Sequence, residues 1–368
     1  MLSEPEPLAL MNATHDVLAA ELGSLRRTIP DEMARALDEN IYLFSGFKTY
    51  HQMNDCSRLL KGDDGGFKPF DKFLQDVLAV DDKYNRNYLY AEYNFAVSST
   101  QMAAKWHDIE KDGDDYDLQY RTAGDEKVRE EHQALDGTTL PPSDKFWNEY
   151  YPPNGWNCRC TAVQVRKGKY PQSDSDKACA EGQRATTQIA KNGANKAAIF
   201  RFNPGKAQKV FPPKHPYYKA PEEAKKKINA IVATAIIRTQ SALERESTLK
   251  EMERFIGTKV TVNGNGHQMK VGFNKKGNKH LYSDTFSRSK ILLKEDLKHL
   301  DNLFDGAVFV KKSALSKKRT DGIKRFYYYE TTLRGNKVYL NVAETDYKDK
   351  HGMLRHSRFL YSVTDKLK

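Results

Sequence analysis

Prolines at 141, 142, 152 and 153 fall within the stretch "PPSDKFWNEYYPPNGWNCRC", and no other feature restricts the folding of this chain as much. Each proline fixes φ and removes a backbone donor, so neither a helix nor a central strand can run through the segment. An irregular connection of this length needs specific side-chain contacts to hold one shape. Its C-terminal end offers them in Cys158 and Cys160, one residue apart in a chain with four cysteines. If "CRCTAVQV" is a short strand, both sulfurs point to one face and Arg159 to the other.

The preceding segment, "AGDEKVREEHQALDG", reads as a short helix capped by Asp125 and ended by Gly137, with Val128, His132 and Leu135 facing inward. Asp136 follows on the same side. His132, Asp136, Cys158 and Cys160 together would make a tetrahedral zinc site. The one-residue cysteine spacing is not that of a common zinc finger. A second reading therefore stays open, in which His132 bonds to Asp136 or to loop backbone and the cysteines are small buried hydrophobes.

A chain of 368 residues exceeds one ordinary domain. Residues 1–40 show an interrupted helical pattern and read as a flexible helical arm. Residues 41–168 begin with aromatics at helical spacing ("KYNRNYLYAEYNFAVSSTQMAAKW"), which predicts a mainly α domain, with loops at "KGDDGGFKPF" and at 112–119. Residues 169–256 read as a Pro, Gly and Ser-punctuated linker with a weak helix at about 177–193, then a long helix from Pro221 to about Ile256. Residues 257–368 predict a small α+β domain: a hairpin in "KVTVNGNGHQMKVGF", an amphipathic helix over 287–304, then three antiparallel strands. The expected fold class is thus multi-domain, mainly α first and α+β last.

Charge divides along the same lines. The chain carries a formal +11, yet Ser241 onward holds 27 Lys and Arg against 15 Asp and Glu, so the whole excess lies in the last third. That is the footprint of a polyanion-binding surface. No apolar run is long enough to span a bilayer, and "MLSEPEPLAL" lacks the basic start of a secretory signal, so a soluble cytoplasmic chain is expected. Four unevenly placed cysteines do not make a disulfide framework.

The run from "FSGFKTYHQM" through "NYLYAEYNFAVSSTQMAAKW", "YRTAGDEKVREEHQALDG" and "PPNGWNCRC" resembles the phage Mu protein F-like family of minor head proteins, over about 120 residues. The resemblance implies a virion protein without enzyme activity in this part, with phage portal and capsid proteins as partners and a role in DNA packaging or delivery. The last 110 or so residues, with "NKKGNKHLYSD" and "RHSRFLYSVTDKL", resemble phage-associated nuclease-like domains grouped with barnase, EndoU, colicin and RelE. That implies a toxin domain cleaving RNA without metal, with an immunity protein as a partner.

The residues allow such chemistry on their own terms. RNA cleavage without metal needs a base, an acid and cations at the phosphate. Lys279 and His280 offer a cation and a base; Arg355, His356 and Arg358 offer an acid and phosphate contacts; Ser362 and Thr364 offer hydroxyls on the face opposite Phe359, Tyr361 and Val363. Lys275, Lys276, Arg334 and Lys337 are candidate nucleic-acid contacts, and Tyr328 within "YYY" a stacking platform. Each has a duller role available, as a surface pair, strand packing or a simple phosphate contact. The alternative is a structural head protein whose basic tail binds packaged DNA without catalysis.

Overall fold

The computed structural model describes residues 5–63, 65–264, 266–314 and 321–367, and divides into two compact units, 1–237 and 238–368. Residues 1–4 of the expected arm lie outside the described residues. Among the described residues, no helix is long and apolar enough to cross a membrane.

The first unit opens with α1 (Pro5–Leu18), α2 (Ala20–Leu25) and the long α3 (Asp31–Arg58), followed by α4 (Phe70–Asp82) and α5 (Leu89–Asp112). The expected arm is not free. Met11, Leu18 and Leu22 are 1% exposed and pack with α3 and α5, because the breaks at Ala19 and near Pro30 turn the apolar faces of α1 and α2 onto those helices. Between α4 and α5, residues Lys83–Tyr88 form a π-helical turn. The carbonyl of Tyr84 in this turn accepts a bond from Lys48 Nζ (2.8 Å), and the same ammonium pairs with Glu92; both side chains are buried. The same carbonyl also accepts from Leu89 N in the π pattern, so both of its lone pairs are used.

Beyond α5 the chain makes a three-stranded antiparallel sheet of β1 (Tyr116–Arg121), β2 (Thr139–Leu140) and β3 (Thr161–Arg166), in the order β2-β1-β3. Part of the loop expected at 112–119 is therefore strand. Two single-turn helices, α6 (Glu130–Gln133) and α7 (Phe146–Glu149), sit in the connections, and α8 (Ser175–Ala185) follows. Asp125 does not cap α6. Its carboxylate accepts from Lys127 N (3.0 Å), making a tight turn that begins four residues ahead of the helix cap at Arg129.

The expected linker is also core. Phe200, Phe202, Val210 and Phe211 are buried against α3 and α5, with Phe44 and Phe211 stacked at 3.6 Å. Proline and glycine here serve close packing instead of mobility. Asn203 caps α9 (Pro204–Ala207) by accepting from Gly205 N and Lys206 N, and Gly205 lies so near α5 that a Cβ would stand 2.2 Å from Trp106 Cβ. Ile228, Val232 and Ile236 of α10 (Glu222–Glu253) pack on Met11 and Phe47, and the boundary between the units falls within this helix.

The second unit is a mixed sheet of six strands among the described residues, in the order β4-β5-β9-β8-β7-β6: β4 (Lys259–Gly264), β5 (His267–Gly272), β6 (Val308–Lys312), β7 (Ile323–Leu333), β8 (Asn336–Lys348) and β9 (Leu354–Thr364). All neighbours are antiparallel except β5 and β9, and the sheet curls until β4 approaches β6. The helix α11 (Lys275–Arg288) crosses β9, where a Cβ on Gly277 would meet the Leu360 carbonyl oxygen at 2.3 Å. The helix expected over 287–304 is instead a run of 3₁₀ turns at Lys294–Lys298 and Asn302–Phe304. Leu297, Leu300 and Leu303 recur every three residues, the 3₁₀ period, and all are buried.

Candidate metal centre and the basic unit

His132 comes from α6, and Cys158 and Cys160 from the loop before β3. The cysteines do not lie in a strand. Asn157 adopts φ +57° and Cys158 N donates to the Gly155 carbonyl (3.1 Å), so a turn, and not strand alternation, brings the two sulfurs together. Cys158 Sγ is 3.6 Å and Cys160 Sγ 3.7 Å from His132 Nδ1, and all three ligand atoms lie within 4.8 Å of one another. Tetrahedral zinc with Zn–S near 2.3 Å and Zn–N near 2.0 Å sets a sulfur-to-nitrogen edge of about 3.6 Å. The group therefore has the spacing to hold a metal ion. Asp136, expected as the fourth ligand, is not part of it. Its Oδ1 accepts from Thr122 N (2.7 Å) and Thr122 Oγ1 (3.0 Å), because the turn at Gly137 carries it away from the inner face of α6.

The loop around these ligands is held by polar contacts from several elements. Arg129 Nη2 donates to the Trp156 carbonyl (2.6 Å), Asn94 of α5 to Asn157 Oδ1 (3.0 Å), and Tyr120 of β1 to Asn154 Oδ1 (3.0 Å). Arg159 forms a two-point pair with Asp125, which holds that exposed carboxyl down at about 2. Such forks fix geometry as well as charge. Beneath lies an aromatic core of Trp106, Tyr120, Phe146, Trp147 and Tyr151, all nearly fully buried.

The two thiols titrate as a pair. A hydrogen bond from Cys160, helped by one from His132, draws the Cys158 thiol well below the ordinary range. Cys160 is pushed up by its bond to Cys158 and by burial. Metal-free, the pocket favours one thiolate; a divalent cation would favour both. His132, Cys158 and Cys160 line one wall of a cleft of about 730 Å³, whose other walls include Tyr90, Tyr93, Lys105, Lys127 and Arg129. Sequence reading did not reach these wall residues. The available signal was the set of cations, Lys127, Arg129 and Arg159, that brackets the ligands along the chain.

In the second unit the seven proposed catalytic residues do not meet. An extended strand rises about 3.3 Å per residue, so His356 and Thr364 stand roughly 26 Å apart along β9. Their partners differ accordingly. His356 Nδ1 faces Asp346 Oδ1 (2.7 Å), Arg355 pairs with Asp349 (3.0 Å), and Ser362 Oγ accepts from Asn341 Nδ2 (2.8 Å). Thr364 Oγ1 donates to the Lys366 carbonyl (3.0 Å). Arg358 donates to Glu344 (2.8 Å), a buried carboxylate that also accepts from Tyr327 Oη (3.0 Å) and lies 3.3 Å from Arg325.

His280, on α11, lies against Tyr361 with ring centres 3.6 Å apart and ring planes tilted by 31°, while Lys279 beside it is exposed. The expected alternation of β9 fails at this point. Pairing steps from Asn341↔Ser362 to Val342↔Leu360, so Tyr361 is an inserted residue. Val363 then joins the core of Leu360, and Phe359 and Tyr361 join Ile323, Ala343 and partly buried Phe326.

Of the proposed nucleic-acid contacts, Lys275 and Lys276 are exposed on α11, and Lys276 Nζ donates to the Asp321 carbonyl. Arg334 pairs with Asp296 (2.5 Å) and Lys337 with Glu330 (2.8 Å). Tyr328 is half-buried with Lys311 Nζ 5.5 Å from its ring centre, whereas Tyr327 and Tyr329 face inward.

Comparison with known proteins divides the chain in a similar way. The family described as Large polyvalent protein-associated domain 3 matches residues 239–361. No solved structure matches. Over 69 residues, 18% of this chain and 16% of the relative, the sequence is 36% identical to the "Putative capsid assembly protein F" of Escherichia phage Mu. Over 64 residues, 16% of each chain, it is 38% identical to the "Mu-like prophage FluMu F protein" of Haemophilus influenzae. The chain thus spans about a sixth of the length of these curated relatives. Residues 49–163, which hold His132, Cys158 and Cys160, match the family described as Phage Mu protein F like protein.

Proposed function

We propose that this protein is a head-assembly component of a phage or prophage, incorporated into the virion alongside portal and capsid proteins. The observation that carries the reading is the match of residues 49–163 to the Mu F-like family, over the stretch that includes α5, β1, β2, the cysteine loop and the start of β3. In that stretch a zinc ion held by His132, Cys158 and Cys160 pins a proline-rich loop that no regular backbone pairing secures.

The second unit, with the excess positive charge, binds the phosphates of packaged nucleic acid. Binding without cleavage is the reading its geometry favours, since the acid, phosphate-contact and hydroxyl candidates are spread along β9, apart from the base candidate His280 on α11, and most are engaged in pairs with neighbouring side chains. RNA cleavage, and the immunity protein it would require, belongs to a second reading with less support. Deleting the gene from the encoding phage and complementing it in trans tests the proposal. Loss of DNA-filled heads, restored by the full chain, is expected; normal heads without the gene would refute it. Purified full chain should bind duplex DNA with an affinity that falls steeply with salt. Cleavage of RNA by that preparation, lost in His280→Ala, would overturn the non-catalytic reading of the second unit.

A further inference from the structure

We propose that the metal site takes three ligands from the protein and that its fourth position opens into the adjoining cleft, where it accepts an exchangeable anionic ligand of the carboxylate class. This rests on the zinc reading above and adds to it. Three observations carry it. Among the described residues no fourth His, Cys, Asp or Glu joins the group, and the nearest candidate in sequence, Asp136, is committed to Thr122. The three ligand residues are buried, 3–6% exposed, yet they border a cleft of about 730 Å³. The lining of that cleft includes Lys105, Lys127, Arg129 and Arg159 and no Asp or Glu.

A zinc ion that serves only to fasten a fold is normally closed by four protein ligands, whereas three protein ligands leave a position for water or another exchangeable group. Two thiolates already neutralise a divalent ion, so the cations around it have no charge at the metal left to balance. Arg159 is paired with Asp125, but the remaining three present positive potential to whatever enters. A cleft lined with one sign of charge concentrates the opposite sign. A carboxylate, such as the side chain of an acidic residue on another head protein, meets both requirements: an oxygen donor for the metal and a charge for the lysines.

Cobalt provides the test. Full-length protein, kept reduced and stripped by a chelator, is titrated with Co²⁺, whose visible bands report its ligands. A thiolate-to-metal band that saturates at one equivalent is expected, and azide or acetate should then shift the visible bands saturably. Lys105→Met and Lys127→Met should weaken the azide response several-fold while leaving the thiolate band intact. Visible bands that ignore both anions would show a closed site and overturn this inference while leaving the metal reading standing. An azide response indifferent to both lysine substitutions would overturn the anionic assignment. Absence of the thiolate band in the wild-type chain would instead refute the metal reading itself.

Discussion

Lys48→Met isolates the most exposed wager in the first unit, the buried ion pair between α3 and α5. The Lys48 and Glu92 side chains are 1% and 4% exposed. With the lysine replaced by an apolar side chain of similar length, Glu92 keeps only the Tyr217 hydroxyl, at 3.2 Å. Removing one partner of such a pair leaves an uncompensated buried charge, at a cost of about 3–5 kcal/mol. Burial already pushes the Glu92 carboxyl up and the Lys48 ammonium down, so both neutral forms lie closer than usual, and the lower end of that range is expected. Lys48→Met with Glu92→Leu removes both charges and should recover most of the loss, to within about 1–2 kcal/mol of wild type. Denaturant unfolding followed by tryptophan fluorescence suits the assay, because Trp106, Trp147 and Trp156 all lie in the first unit. A single substitution costing less than about 1 kcal/mol, or a double substitution no better than the sum of its parts, would refute the reasoning.

Other outcomes follow from the packing and titration of particular groups. Burial, with a smaller contribution from His51, holds His215 down at about 4 against an ordinary 6.5. The unfolded chain therefore takes up a proton below about pH 6.5 that the folded one refuses until about pH 4, and the first unit should lose up to about 3 kcal/mol across that window; His215→Phe should flatten the dependence measured by tryptophan fluorescence. Phe211→Ala, in the segment that reads as linker, should cost about 3–5 kcal/mol in the same assay, where a true linker would show almost nothing. Gly277→Ala should destabilise the second unit by about 1–3 kcal/mol, seen as loss of its circular dichroism at lower denaturant, because the added methyl meets the Leu360 carbonyl and not a movable side chain.

The sequence was most legible where periodicity was regular. Val338, Leu340 and Val342 alternate and form the core side of β8, and α10, expected from Pro221 to about Ile256, spans Glu222–Glu253. It misled where one signal has two physical causes. Proline and glycine between 197 and 218 suggest a linker, yet here they permit the close approach of Gly205 to Trp106 and the burial of Phe200 and Phe211. In the metal group, His132, Cys158 and Cys160 were legible from residue type and a shared inner face, but through a strand that is in fact a turn at Asn157. Asp136 was misplaced because the turn at Gly137 redirects it. On β9, one inserted residue at Tyr361 exchanges the two faces, and nothing in the local pattern announces it. Lys48 and Glu92 belong to distant helices, and only tertiary packing reveals that each is the other's partner.

Quantitative mass spectrometry of heads purified from the encoding phage tests the central claim most directly. The account predicts this chain in every preparation, at a fixed and low ratio to the major capsid protein. Heads that carry packaged DNA and none of this chain would contradict it.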